Sequence, residues 1–249
     1  MKRRIRRIHR ALRAVPLPAR VASVACALLA VIALANWIYQ AARKPSELLF
    51  PVSGALFKTP AATWREYGPL FREHATGVIG PQLLAALAQV EGGGNPLART
   101  YWRWQLAWNP FEVYQPASSA VGMYQITDAR FADAKRYCIH YNRVVEEACW
   151  FNSLYNRLVP SHAVELTAAF LDRSVANTLA RARIPAATLQ QKQDLAAVTH
   201  LCGAGAGEAY ARRGFRPGAG ERCGEHGLAA YLAQVNAAKR QFARLAAGA

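Results

Sequence analysis

Acidic residues are scarce in this chain of 249 residues, which holds 15 of them against 31 lysines and arginines. No acidic residue precedes Glu47. Eight of the basic residues lie in the first 40 positions, and without them the chain keeps 23 basic and 15 acidic residues, a net charge of about +8. Such a body suits an anionic polymer or surface. It is no polycation, so we expect no nucleic-acid partner.

Charge is absent altogether between Val21 and Tyr39. This run is close to the ~20 residues of a helix that crosses a bilayer, and it ends in interfacial aromatic residues. The arginine-rich residues before it are expected to stay in the cytoplasm, which leaves the rest of the chain outside. A cleaved signal peptide is the alternative, because residues 33–35 (Ala-Leu-Ala) resemble a cleavage site. We favour a retained anchor because the apolar run continues past that site; in either case the body is exported.

Sustained period-two alternation and internal repeats are also absent, and helical spacing of apolar residues recurs instead. We predict that Pro81 begins a helix, that Gly68-Pro69 bends or splits another, and that Thr127 or Asp128 caps a third. The fold class we expect is mostly α. The four expected parts are a cytoplasmic basic segment at 1–20, a transmembrane anchor at 21–40, a linker at 41–60 and a single periplasmic domain at 61–249.

The chain has only five cysteines, and Cys26 lies within the apolar run, where we expect an inert thiol. The remaining four form an even set in an oxidising compartment, which predicts disulfide bonds. Of three possible connectivities we favour Cys138–Cys149 and Cys202–Cys223. Neighbouring histidines allow a zinc site as the alternative, but their spacing matches no standard zinc module. We therefore predict no metal.

One carboxylate occupies an unusual place, in the stretch LLAALAQVEGGGNP that begins at Leu83. Glu91 lies on the same stripe of the predicted helix as three leucines, Leu83, Leu84 and Leu87. We therefore expect Glu91 to face the core. Burial raises the pKa of a carboxyl group, and a protonated acid is what glycosidic cleavage requires. The three glycines that follow would let a bulky ligand approach. The alternative is a glutamate at a frayed, exposed helix end; the helix dipole disfavours a carboxylate there, so something must compensate.

Six aromatic residues are concentrated in the 14 positions from Tyr101 to Tyr114. Aromatic faces can stack on sugar rings, and Arg103 supplies a cation for acidic substituents. Ordinary packing is the alternative for most of the six. We expect one or two to line a binding cleft, with Tyr101 and Trp102 as the candidates.

Three stretches, AQVEGGGNPLA, SSAVGMYQIT and THLCGAGAGEAY, resemble in order the motifs of the soluble lytic transglycosylase catalytic domain. That family shares a lysozyme-like fold with goose-type lysozymes, and the resemblance covers roughly residues 60–235. It implies that Glu91 is the catalytic acid. It also implies that His200 occupies the position of a tyrosine near that acid. The implied cleft-lining residues, with the glutamine contacting the saccharide, are Gly122, Met123, Tyr124 and Gln125.

This chain departs from the family pattern at two of those positions. Gly92 replaces a serine, which removes a hydroxyl that could hold substrate or product. His200 replaces the tyrosine, and an imidazole there is expected to titrate near neutral pH, unlike a phenol. The segment between Asn95-Pro96 and Gly122 is also longer than usual and rich in aromatic residues, so we expect a customised cleft wall.

Ordinary glycosidases need two carboxylates, and neither Glu112 nor Asp128 lies in a motif that supports it as the second. The resemblance implies a mechanism that uses a single carboxylate. Glu91 protonates the leaving oxygen and then takes a proton from the substrate's C6 hydroxyl, which attacks the anomeric carbon and leaves a 1,6-anhydromuramoyl end.

The expected protein is thus a lytic transglycosylase anchored in the bacterial inner membrane, or secreted to the periplasm if the signal is cleaved. It cleaves the β-1,4 bond between N-acetylmuramic acid and N-acetylglucosamine of peptidoglycan strands without a metal or organic cofactor. The alternatives are a hydrolytic muramidase on the same fold and a non-catalytic wall-binding or scaffold protein. Sequence does not identify a partner in the envelope machinery.

Overall fold

The computed structural model describes residues 16–248, apart from the side chain of Phe50. Within them the chain is mostly helical and divides into two compact units. The first contains the described residues up to Leu48 together with Tyr101–Ala117, and the second contains Leu49–Thr100 and the residues from Ser118 onward. The aromatic segment thus groups with the N-terminal helix, whereas the sequence assigned it to the domain at 61–249. The predicted cytoplasmic segment at 1–20 lies mostly outside the described residues.

The first unit is built on helix α1, Leu17–Arg43, which is longer than the expected anchor. At 1.5 Å per residue its 27 residues extend about 40 Å. It is the one helix in the part of the chain that the structure describes that is long and apolar enough to cross a membrane. A signal sequence and a membrane anchor both fit this finding. Cys26 is exposed on α1 and unpaired.

A small hairpin completes the first unit. Strand β1, Trp102–Trp104, pairs antiparallel with strand β2, Tyr114–Pro116, and Arg103 lies opposite Gln115. A 3-10 turn at Pro110–Glu112 lies between the two strands.

The second unit holds eight further helices and two more hairpins among the described residues. Its helices are α2 Phe50–Ser53, α3 Pro60–Glu73, α4 Pro81–Gly92, α5 Asp128–Ala134, α6 Pro160–Arg181, α7 Leu189–Cys202, α8 Ala204–Arg212 and α9 Leu228–Ala247. Its strands are β3 Cys138–His140 with β4 Arg143–Val145, and β5 Arg222–Cys223 with β6 His226–Gly227. Within the predicted linker at 41–60, residues 45–56 form short helical turns.

The local signals at the helix ends were mostly correct. Pro81 is the first residue of α4, and the Thr127 hydroxyl caps α5 by accepting a bond from the backbone N–H of Arg130. Of the bend or split expected at Gly68-Pro69, the split is wrong, because α3 continues through Pro69. The proline removes one helical hydrogen bond, but Tyr67 and Phe71 on either side are buried in the core, and that burial holds the helix together.

Helix α4 is the centre of the second unit. Every residue from Leu83 to Ala88 is at most 1% exposed, so the helix is buried on all sides rather than along one stripe. It packs mainly against α9 and α3. A fully buried helix must satisfy its last carbonyls within the protein, and the N–H of Gly93 bonds to the Gln89 carbonyl there. The end of α4, with Glu91, is therefore fixed by the core.

Both predicted disulfides are confirmed, with Cys138 bonded to Cys149 and Cys202 to Cys223. Sulfurs joined in disulfides are not thiolate ligands, which contradicts the zinc alternative drawn from these cysteines. The first disulfide joins β3 to the loop after β4. The second ties the last residue of α7 to β5, just before α9 begins.

Replacing Cys202 and Cys223 together by serine is expected to destabilise the protein by about 3 kcal/mol, since the bridge closes a loop with a sequence separation of 21. Urea unfolding of the detergent-solubilised protein followed by circular dichroism measures the change. The matched control is Cys26→Ser, an exposed unpaired cysteine, which should leave the unfolding midpoint unchanged. Equal midpoints for the double variant and the control would contradict the prediction.

Candidate functional site

Glu91 lies in the last turn of α4 with its side chain 16% exposed. The hydroxyl of Tyr231, in the first turn of α9, donates a hydrogen bond of 2.5 Å to Glu91 Oε1. The Nε2 atom of His200, near the end of α7, lies 3.8 Å from the same oxygen. Three helices distant in sequence thus converge on one carboxyl group.

Burial raises the pKa of Glu91 above its ordinary value because it removes water from the charged form. The Tyr231 hydrogen bond opposes this rise first, followed by the charges of His226 and Arg130. These three groups supply the compensation that a carboxylate at a helix C-terminus requires. The net effect still shifts Glu91 toward the protonated acid relative to an ordinary glutamate.

Arg130, in α5, is a member of this site that the sequence did not reveal. Burial lowers the pKa of its guanidinium group, while the charge of Glu91 raises it. The guanidinium carbon lies 5.7 Å from the centre of the Phe170 ring, and Arg130 lines a small cavity that His200 also lines. Its position in DARFADAKRY looked like an ordinary exposed helix residue, so no local signal marked it.

His200 does not behave as the sequence suggested. Burial and then the charge of Arg130 lower its pKa to about 3, although the Tyr124 carbonyl acts in the opposite direction. The imidazole is therefore neutral near pH 7, and the expectation that it titrates there is wrong. Its contact with Glu91 at 3.8 Å is not an ion pair under those conditions. Its Nδ1 atom is buried and finds no hydrogen-bond partner among the residues described.

Tyr231 is the second residue that sequence reasoning missed. The resemblance implied that His200 would be the polar group beside Glu91. The residue that hydrogen-bonds to Glu91 is a tyrosine 140 residues after it in the chain. Its side chain is buried, and burial together with Glu91 raises its pKa well above the ordinary tyrosine value. One signal was available: a tyrosine on the apolar face of LAAYLAQV needs a hydrogen-bond partner when it is buried.

The space that a side chain would need at each of the three glycines after Glu91 is filled by protein atoms. A Cβ on Gly92 would lie 2.7 Å from Met123 Cα, one on Gly93 2.6 Å from the Phe57 ring, and one on Gly94 2.2 Å from Thr63 Oγ1. The prediction that they open a path for a sugar chain is therefore corrected. Gly92 is required because the backbone at Met123 passes directly against the end of α4, which leaves no room for a serine side chain.

Residues 122–125 form a buried turn that packs against the end of α4. Met123 and Tyr124 are 0% exposed, so their prediction as cleft-lining residues is corrected to core residues. Gly122 is buried and turns the chain with a φ of +80°, where a Cβ would meet the Arg157 carbonyl oxygen at 2.6 Å. The Gln125 amide donates to the carbonyls of Gly122 and Ala98 at 3.0 and 3.2 Å, which holds the turn.

Two of the predicted saccharide contacts belong to the first unit. Tyr101 is 56% exposed, whereas Trp102 is half-buried and donates its indole N–H to Glu47 at 3.0 Å. Glu47 itself is fully buried. Trp102 therefore has a structural partner, and the binding of sugar by these two residues stays a prediction.

The other carboxylates considered in the sequence are held in ion pairs. Glu112 pairs with Arg43 at 2.9 Å, and Asp128 pairs with Arg157. The groups that shift the pKa of Glu91 include no carboxylate among the residues the structure describes. Within residues 16–248 no group of three or more His, Cys, Asp or Glu side chains is placed to hold a metal ion.

Gly92→Ala is expected to destabilise the protein by about 1–3 kcal/mol, because the added methyl group overlaps backbone atoms of Met123 that cannot rotate away. Chemical denaturation measures the loss. The matched control is Gly205→Ala in α8, where a Cβ meets nothing within 4 Å; it should be neutral or stabilising by up to about 1 kcal/mol. A stable Gly92→Ala variant would show that the contact is absent.

Tyr231→Phe is expected to raise the pKa of Glu91 further, because the lost hydrogen bond stabilises the charged carboxylate. Titration of the ¹³C carboxyl resonance of Glu91 measures the shift, with Glu91→Gln used to assign the signal. The control is Tyr155→Phe, which removes a comparable bond of 2.6 Å to Glu165 and should not move the Glu91 titration. A Glu91 pKa that is unchanged or lower in Tyr231→Phe would contradict the geometry.

Comparisons with protein-family models, curated proteins and solved structures found no match to this chain. The assignment of a function therefore depends on the motif resemblance and on the chemistry around Glu91.

Proposed function

We propose that this protein is a peptidoglycan lytic transglycosylase with a lysozyme-like catalytic domain and Glu91 as its general acid and base. The observation that carries the proposal is the carboxyl group of Glu91, desolvated at the end of a buried helix and hydrogen-bonded by Tyr231. A group near neutral pH that donates a proton and later accepts one must have stable protonated and ionised forms. Burial favours the first form, and the tyrosine with Arg130 favours the second.

In the first step Glu91 donates its proton to the glycosidic oxygen as the bond to the anomeric carbon breaks. N-acetylglucosamine leaves with that proton, and positive charge develops on the muramoyl ring. The Glu91 carboxylate that remains is stabilised by the Tyr231 hydroxyl and the positive charge of Arg130. Neutral His200 adds no charge beside it, so the carboxylate keeps its basicity for the second step.

In the second step the carboxylate takes the proton of the C6 hydroxyl of the same muramoyl residue. The C6 oxygen bonds to the anomeric carbon, which closes the 1,6-anhydro ring and returns the proton to Glu91. The nucleophile belongs to the substrate, so orientation replaces a second protein carboxylate. The ion pairs of Glu112 with Arg43 and of Asp128 with Arg157 support this route over hydrolysis, because they hold the two other carboxylates that the sequence brought into question.

The rest of the chain fits an exported enzyme. An N-terminal apolar helix serves as a signal or an anchor, and two disulfides are typical of an extracytoplasmic compartment. We propose that α1 is retained in the inner membrane and that the body lies in the periplasm. The net positive charge outside the first 40 residues suits the anionic cell wall.

The test is digestion of purified sacculi by the detergent-solubilised full chain, with mass spectrometry of the released muropeptides. Wild type should release 1,6-anhydromuropeptides, and Glu91→Gln should lower the rate by about 10²–10⁴-fold. The matched control is Glu66→Gln, an exposed glutamate that should retain the wild-type rate. The rate should also fall as pH rises through the pKa of Glu91, because only the protonated acid starts the reaction.

Other products would identify the alternatives. Reducing ends that disappear in Glu91→Gln would indicate a muramidase. If wild type releases neither product, the enzymatic proposal fails, and a wall-binding or scaffold role replaces it.

A further inference from the structure

We propose that the hairpin at Tyr101–Ala117 docks into the headgroup layer of the membrane that α1 spans. Both elements belong to the same compact unit, so their relative placement is part of one structure. The inference depends on α1 being retained as an anchor and is independent of the chemistry at Glu91.

The first observation is an exposed apolar surface on this hairpin, here called the aromatic tip: Trp104, Leu106 and Trp108. Trp104 is 75% exposed, and Leu106 and Trp108 are fully exposed. Three large apolar side chains in five residues are costly to leave in water and mark a contact surface. Tryptophan is the side chain most typical of the membrane–water interface, since its ring is apolar and its N–H is polar.

The aromatic tip is held in place by the hairpin. The Trp104 ring stacks on Tyr114 with centroids 4.5 Å apart, and the centroid of the Trp102 ring lies 5.1 Å from that of the same tyrosine. Trp102 is fixed in turn by its hydrogen bond to Glu47. Trp104 is therefore presented outward on a rigid support, at little entropic cost on binding.

The second observation is the position along α1 at which the hairpin is attached. The Asn36 amide donates to the Tyr114 carbonyl at 2.8 Å, and the Gln40 amide donates to the Phe111 carbonyl at 2.5 Å. Twenty residues counted from Val21, about 30 Å of helix, end at Gln40. The contacts from Asn36 to Arg43 extend over about 10 Å of helix, so they fall where hydrocarbon gives way to headgroups.

The exposed basic side chains near the end of α1 carry positive charge, which an anionic bilayer surface attracts. Arg103 is exposed on the hairpin, and the Arg43 side chain is 54% exposed while it pairs with Glu112. Basic side chains beside a membrane span are attracted to anionic headgroups. The fully exposed leucine favours lipid over a saccharide as the occupant, because an aliphatic side chain offers no flat face for a sugar ring.

The experiment uses the full chain in nanodiscs of phosphatidylcholine and phosphatidylglycerol, with acyl chains brominated close to the headgroups. Bromine quenches tryptophans that contact lipid. Trp104→Phe/Trp108→Phe should lose roughly half or more of the lipid-quenched fluorescence of wild type, since Trp37 in α1 is the main quenched tryptophan that remains. The matched control is Trp150→Phe, 69% exposed in the second unit, which should leave that component unchanged.

Aqueous iodide provides the complementary measurement. In nanodiscs the tryptophans of the aromatic tip should be protected, so iodide should quench wild type and the double variant to similar extents. Unchanged lipid quenching in the double variant, or strong iodide quenching that the double substitution removes, would overturn the proposal. Protection that arises only on addition of glycan strands would also overturn it and identify a sugar-binding surface. Circular dichroism verifies that each variant is folded.

Discussion

The hydrogen bond from Tyr231 to Glu91 is the interaction on which the candidate site depends. A carboxyl group at the C-terminal end of a helix faces an unfavourable dipole and, when buried, loses its hydration. Without a donor its pKa would be higher still, and the ionised form that acts as a base would be less stable. The phenol restores part of the lost stabilisation of the anion, and Arg130 adds a longer-range positive charge. The result is a carboxyl group that can exist in both forms, which is what transfer of one proton in two directions requires.

The backbone packing around α4 fixes this arrangement in space. Met123 touches the end of the helix at Gly92, and the next residue turns its carbonyl toward His200. The segment 122–125 therefore acts on the site through packing at the end of α4, while burial and the charge of Arg130, against the effect of the Tyr124 carbonyl, keep His200 neutral. The Cys202–Cys223 disulfide ties the end of α7 to the hairpin that precedes α9, and these are the two helices that contribute His200 and Tyr231. Close packing and a covalent link thus hold the helices that meet at Glu91.

In the first unit, polar side chains lie near the end of a long apolar helix. A long apolar helix ends in two amide side chains, Asn36 and Gln40, that would be costly in hydrocarbon. Both are buried and donate hydrogen bonds to backbone carbonyls of the hairpin. These bonds attach the hairpin to α1. The same hairpin exposes the aromatic tip, so one side of it offers backbone carbonyls to α1 whereas another side is apolar. This division is what a segment at a membrane–water interface needs.

The sequence by itself determined the features that depend on local pattern and composition. The apolar helix, the mostly helical body, the start of α4 at Pro81 and the core-facing position of Glu91 all follow from periodicity and capping chemistry. Cysteine spacing favoured one disulfide pairing among three, and the folded chain decided it. Tertiary structure alone decided what surrounds Glu91. Tyr231 donates a hydrogen bond to it from α9, and the charge of Arg130 in α5 acts on its pKa. His200 is neutral because of burial that no local pattern shows. The three glycines serve close backbone packing rather than ligand access, since only the folded chain shows which atoms fill the space beside them.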